Sequence, residues 1–135
     1  MDPLFIGVDV GTSGTKAGLF DHLGRLLAHH HVSHTVDYPA PNQAEHDAEA
    51  VWWAETRLCI RSIVEQVPGA RDRVAGIACS GLGAALVLVD EEGRALRPAI
   101  LYGIDGRAAR QIERLNATFG EEEILRRSGA RLSSQ

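Results

Sequence analysis

The sequence predicts an α/β domain whose mixed β-sheet opens with a three-strand meander and is flanked by helices. Three observations carry this prediction. Short apolar stretches at 4–8, 15–20 and 26–32 are divided by turn residues, as successive antiparallel strands are. A pattern of helical spacing then runs from Asp47 to about Gln66. After it the chain returns to a strand-like apolar run at 74–79, which makes the helix a crossover and implies at least one parallel pair.

The elements follow in order. Leu4 to Val8 is a continuous apolar run of buried-strand type, and Thr15 to Phe20 mixes small and apolar residues as a neighbouring strand would. Asp21-His22-Leu23-Gly24 turns the chain, and Leu26 to Val32 returns as the third strand. Pro39-Ala40-Pro41-Asn42 breaks structure. Asp47 is then placed to cap a helix whose apolar side holds Val51, Ala54, Leu58 and Ile60 to Val64, and Pro68-Gly69 stops it. Val74 to Cys79 reads as a fourth, fully buried strand and Leu86 to Val89 as another. The turn Asp90-Glu91-Glu92-Gly93-Arg94 repeats the pattern of Asp21-His22-Leu23-Gly24-Arg25, so one hairpin chemistry is used twice. Ala109, Ile112 and Leu115 share one side of a helix over 106–118, and a further helix covers 121–127, its Glu121-Glu122-Glu123 suiting the helix dipole.

Composition sets the boundaries of function. At 135 residues the chain fits a single domain, residues 1–135, able to bury a core without staples. Fourteen basic against eighteen acidic residues leave a net charge of −4, which offers no broad field for nucleic acid or an anionic membrane. Any phosphate must be met locally. Cys59 and Cys79 are too few for a disulfide framework, the N-terminus carries no signal pattern, and a reducing, cytoplasmic setting is expected. No apolar run reaches the roughly 18 residues that a bilayer requires, so no membrane partner is expected.

The chemistry concentrates in Ile6-Gly7-Val8-Asp9-Val10-Gly11-Thr12-Ser13-Gly14-Thr15-Lys16. An apolar strand ends in a carboxylate and turns through small, hydroxylated residues into a second strand. Asp9 can hold a magnesium ion or its waters, and Gly11 and Gly14 let the backbone approach a polyanion. Thr12 and Ser13 add hydroxyl and N–H donors, and Lys16 adds a positive charge. A tight hairpin would need one or two permissive residues. This one adds a preceding Asp and a following Lys, so we read a phosphate-binding hairpin. Because a strand follows rather than a helix, it is neither the nucleotide P-loop nor the dinucleotide fingerprint.

Other features are read more plainly. His29-His30-His31 with His34 invites a metal reading, but on a strand His29 and His31 share a face that His30 does not, and without a third ligand at suitable spacing they mark a solvated strand end. Cys79 is expected to be a small buried hydrophobe, Ser80 lacks a visible base, and of Trp52 and Trp53 at most one points into the core.

Taken together, three stretches resemble the N-terminal domain of the FGGY carbohydrate kinases, members of the actin, Hsp70 and sugar-kinase superfamily with a ribonuclease H-like core. Asp9 through Lys16 looks like the family's first phosphate motif. Asn42-Gln43-Ala44-Glu45-His46-Asp47 followed by Val51-Trp52-Trp53 resembles the opening of its first long helix. Arg94 through Arg107 resembles the segment that ends at the sugar site. The first motif alone would also admit Hsp70-like or actin-like proteins; the third favours sugar kinases.

The resemblance implies transfer of the ATP γ-phosphoryl group to a sugar or polyol hydroxyl, with ATP and Mg2+ as cofactors, Asp9 acting through magnesium, and Gly11, Thr12, Ser13 and Lys16 holding phosphate. It places the sugar near Gly81, Leu82, Gly83, Tyr102, Asp105 and Arg107. Two departures stand out. Where xylulose kinases have a Gly-Gln-Met-His-Gly type loop, this chain has Gly81-Leu82-Gly83-Ala84-Ala85, which offers no side chain for a hydroxyl. The family's Trp-Asn-Asp-x-Arg type segment becomes Tyr102-Gly103-Ile104-Asp105-Gly106-Arg107, with one extra residue. Asp105 and Arg107 either frame a polyol or form a salt bridge at a helix start.

The family's proteins are much longer, and their catalytic aspartate and adenine pocket lie downstream of the segments seen here. The chain is therefore expected to be an incomplete N-terminal domain, inactive alone, that needs a C-terminal kinase domain in cis or in trans. The alternative is a truncated, non-catalytic binding module of the same fold. An exposed inter-domain face is expected to favour a homodimer or aggregation.

Overall fold

The computed structural model describes residues 2–133. The meander forms as the sequence predicts: β1 (Leu4–Val10), β2 (Gly14–Asp21) and β3 (Leu26–Ser33) pair antiparallel in succession. The turn from β2 to β3 is fixed by Asp21, whose Oδ1 accepts the N–H groups of Leu23 and Arg25, both at 2.9 Å, while Gly24 takes a φ of 78°. Asp90 does the same for Glu92 and Arg94 at 3.1 and 2.8 Å, with Gly93 at a φ of 79°. The repeated hairpin chemistry is real.

A two-residue strand, β4 (Glu45–His46), precedes the helical segment. The Asp47 side chain accepts the N–H groups of Glu49 and Ala50, wide π-type turns cover Ala48–Trp53, and α1 (Ala54–Gln66) continues from them. Glu55, Cys59 and Ile63 recur every four residues on α1, the spacing that keeps one helical face toward the sheet. Cys59 and Ile63 are fully buried against Leu4, Ile6, Val8, Ala17, Leu19 and Ala28, with Ile60, Val64 and Val32 at the margin. Each Leu, Ile or Val side chain so taken from water stabilises the fold by about 1.5–3 kcal/mol. Gly69, at a φ of 72°, ends the helical run, and Ala70 tucks under the core.

The chain then enters β5 (Val74–Gly81), which lies parallel to β1 and completes the order β3-β2-β1-β5. The expected burial of 74–79 is not observed. α1 packs on β2 and β3, leaving β5 at the sheet edge, and Ile77 is 56% exposed. Residues 86–89 also differ from expectation. They make single bridges from Leu86 to Ile100 and from Val89 to Ala95 rather than a strand, because β6 (Ala99–Ile100) is two residues long and Pro98 before it offers no N–H for a ladder. β6 pairs with β4 as a separate small sheet. Two helices close the described chain, α2 (Ala109–Phe119) and α3 (Glu121–Ser128), joined at Gly120. Neither buries a residue. Glu121–Glu123 open α3 and Arg126 and Arg127 end it, with Glu123 paired to both arginines.

Candidate phosphate and sugar site

Strand alternation divides the residues of β1 between two faces. Leu4, Ile6 and Val8 face α1, while Phe5, Gly7 and Asp9 stand on the opposite, open face. Register then lines up one polar row across the whole sheet: Ser80 on β5 opposite Asp9 on β1, Asp9 opposite Lys16 on β2, and Lys16 opposite His31 on β3. Ser80 Oγ donates to Asp9 Oδ1 at 3.1 Å. Asp9, Lys16 and Ser80 border a shallow depression on this face, about 350 Å³, with Gly7, Gly18 and Phe20.

Beside the row, Gly11, Thr12 and Ser13 connect β1 to β2. Gly11 N–H donates to Gly14 O at 3.0 Å. The glycines serve close packing rather than an unusual backbone, since neither has a positive φ. A Cβ on Gly14 would stand 2.4 Å from His31 Nε2 and 2.7 Å from Val32 O, and one on Gly11 would stand 3.2 Å from Gly14 O. A side chain at either position would therefore press on its neighbours in β2 and β3. Ser13 and Lys16 are exposed and Thr12 is half-buried.

A buried polar cluster that sequence reasoning missed lies under the hairpin. His34 Nδ1 is 2.8 Å from Glu55 Oε2 and its Nε2 is 3.0 Å from Gly11 O. Thr15 Oγ donates to the same Glu55 oxygen at 2.8 Å. The His46 ring stands edge-on to His34, 4.7 Å between centroids, and its Nδ1 accepts Trp52 Nε1–H at 2.9 Å. Burial, then the neighbouring charge of His34, push the His46 pKa down, against the opposing pull of Glu55. The signal in the sequence was phase. His34 continues the even-numbered face of β3, with Ala28 and Val32, and Glu55 precedes Cys59 by one turn.

The residues placed at the sugar side fall into two groups. Gly81 ends β5 and Leu82 continues from it, with Leu82 N–H bonded to Val10 O at 3.0 Å, and both border a depression that includes Val10, Trp52 and Ser80. Gly83 has open space around its Cα, and Ala84 takes a φ of 59°, a left-handed conformation that is costly for a residue with a Cβ. Tyr102, Asp105 and Arg107 border a different depression, with Ala84 and Leu86. Tyr102 is exposed. Of the two readings of Asp105 and Arg107, the geometry displays the ion pair: Arg107 Nε and Nη2 reach Asp105 at 2.8 and 2.6 Å, and Ala44 N–H adds a bond at 2.7 Å. Burial raises the Asp105 pKa, but these bonds outweigh it and hold the carboxyl at about 2. Arg107 also reaches Glu45 at 2.8 Å, and Arg97 bonds the same carboxylate. The Asp105 side chain is 3% exposed.

Among the described residues no cluster of three His, Cys, Asp or Glu side chains forms a metal cage. Asp9 with its Ser80 partner instead offers a single carboxylate, which suits magnesium, an ion that keeps most of its waters and shares phosphate oxygens. Among the described residues no helix is long and apolar enough to cross a membrane.

Comparison with known proteins places the fold. Residues 4–135 match the model of the FGGY family of carbohydrate kinases, N-terminal domain. A xylulose kinase of Klebsiella pneumoniae is 36% identical over 115 residues, 83% of this chain but 22% of that protein. The chain thus spans about a quarter or less of the curated relatives it matches. The crystal structure of xylulose kinase from Rhodospirillum rubrum superposes with a TM-score of 0.82 at 31% identity, over 90% of this chain and 25% of that one. Plasmodium falciparum glycerol kinase with ADP superposes at 0.83 over 98% of this chain and 26% of that one, where 15% identity speaks for the fold alone. The fold is that of the actin-like ATPases, and the chain belongs to the FGGY family of carbohydrate kinases, whose N-terminal domain it matches.

Proposed function

We propose that this chain supplies the phosphate-binding side of a kinase that transfers the γ-phosphoryl group of ATP to a sugar or polyol hydroxyl. The observation that carries this reading is the row Ser80–Asp9–Lys16–His31 beside the Gly11–Ser13 connection. One carboxylate for a hydrated magnesium ion, one ammonium for phosphate oxygens and a turn of backbone donors stand together on an open sheet face. Magnesium, when bound, would neutralise charge on the phosphates. Asp9 would hold the ion's waters, Lys16 would meet a phosphate oxygen, and Thr12 and Ser13 would orient the chain of phosphates. Positioning of this kind is most of what phosphoryl transfer asks of a protein. The residues 1–135 act as an N-terminal domain that needs a complementary domain, in cis or in trans, for the catalytic base and for closure over the sugar. The free Cys79 thiol, exposed, suits a reducing, cytoplasmic setting.

The test is calorimetric titration of MgATP and magnesium pyrophosphate into the chain. Asp9→Asn should weaken magnesium-dependent binding by about tenfold, the loss of one charged ligand interaction. Equal affinity in the variant would remove Asp9 from the reading. The non-catalytic alternative is favoured by two observations: Asp105 is spent on Arg107 and Ala44, and Gly81–Ala85 carries no side-chain group for a hydroxyl. The two readings part on whether adding the C-terminal portion of a family kinase yields ATP consumption that depends on sugar. Consumption supports the enzyme, and its absence in a complex that forms supports the module.

A further inference from the structure

Resting on the phosphate reading above, we propose that His34 is a positioning residue that sets which way the peptides of the phosphate hairpin point. His34 takes two of the three carbonyls in Gly11–Ser13. Its main-chain N–H donates to Ser13 O at 3.1 Å and its ring Nε2 reaches Gly11 O at 3.0 Å. A carbonyl oxygen only accepts, so the bonded Nε2 carries the hydrogen. At the other side of the ring, Nδ1 faces Glu55 Oε2, an oxygen that also accepts Thr15 Oγ–H. The ring is thereby clamped between α1 and the hairpin, with His34 6% and Glu55 12% exposed at their side chains.

The consequence follows from peptide geometry. In a trans peptide the C=O and the next N–H point to opposite sides of the chain. The Gly11 carbonyl is drawn toward His34 on the α1 side, so the Thr12 N–H is turned toward the face that carries Asp9 and Lys16. Without the His34 bond the Gly11–Thr12 peptide can rotate, and a carbonyl oxygen can replace an N–H toward an incoming phosphate. His34 touches no ligand in this scheme. It acts through the backbone, with Glu55 and Thr15 holding the ring.

The experiment uses the chain labelled with 15N and 13C. In the unsubstituted chain the His34 ring spectrum should show a proton on Nε2, and a bare Nε2 overturns the proposal without any variant. His34→Leu should move the Gly11 carbonyl and Thr12 amide resonances and weaken magnesium pyrophosphate binding by about tenfold, as the loss of one charge-assisted hydrogen bond does. His34→Gln keeps an N–H donor of similar reach and should bind within about threefold of the unsubstituted chain. A folded His34→Leu that binds as tightly as the unsubstituted chain overturns the proposal, as does a His34→Gln no better than His34→Leu. If the unsubstituted chain fails to bind pyrophosphate, the phosphate reading itself falls. His34 is then judged on the Gly11 and Thr12 resonances, and their failure to move in His34→Leu counts against it.

Discussion

Asp105 is an ionised carboxyl inside the fold, and its pH dependence can be worked out. The folded value of about 2 lies below the ordinary 3.8, so the stabilisation is complete above about pH 4 and is lost as the pH falls toward 2. Thermal unfolding across that window should show a slope that Asp105→Asn flattens, and at neutral pH the variant should lose about 3 kcal/mol, the cost of breaking a buried pair. His46 runs through a higher window. Its folded pKa is depressed below the ordinary 6.5, so the unfolded chain gains a proton that the folded ring refuses as the pH falls below about 6.5. Stability should therefore decline from pH 7.5 to 5.5 in urea titrations, less so in His46→Gln. Gly14→Ala tests packing: Val32 O, 2.7 Å from the added carbon, is backbone and cannot swing away, so about 1–3 kcal/mol should be lost. At this scale the pairing of Asp9 with Lys16 was legible in the sequence, because the two lie in one contiguous strand-turn-strand segment. It did not disclose the pairing of Glu55 with His34, which are 21 positions apart and meet only when α1 lies across β3.

Elements were legible where their chemistry is local. Asp21 and Asp90 announce their turns because a carboxylate, a glycine and an arginine at fixed offsets close the loop without outside help. Asp47 announces the helical segment in the same way, and Asp47→Ala should cost about 1 kcal/mol in urea unfolding by freeing two N–H groups. β5 was legible as a strand but not as an exposed one. An apolar run records that a strand forms, whereas its burial depends on which layer a distant helix covers. Residues 86–89 fail as a strand for a similar reason: β-propensity needs a partner long enough to make a ladder, and β6 is not.

For the whole molecule, the sheet and α1 form the cohesive unit. β1 and β2 are paired on both sides and lie over the core, while α2 and α3 bury no residue. Amide hydrogen exchange should be slowest in β1 and β2 and about a hundredfold or more faster in α2 and α3, since local opening there exposes little new apolar surface. Equal protection across these elements would contradict this ordering. The two halves of the site meet at β4. Glu45 and His46 are neighbours on a strand, so their side chains leave in opposite directions, Glu45 to Arg97 and Arg107, His46 to His34 and Trp52. Both are buried. A deletion or insertion of one residue that slid β4 by one place along β6 would therefore turn the imidazole to the face of the arginines and the Glu45 carboxylate to the face of His34, disturbing both sides with one event. The preceding loop, Tyr38 to Gln43, can vary in length only where β4 keeps its phase, so this dipeptide acts as a reading frame for the domain.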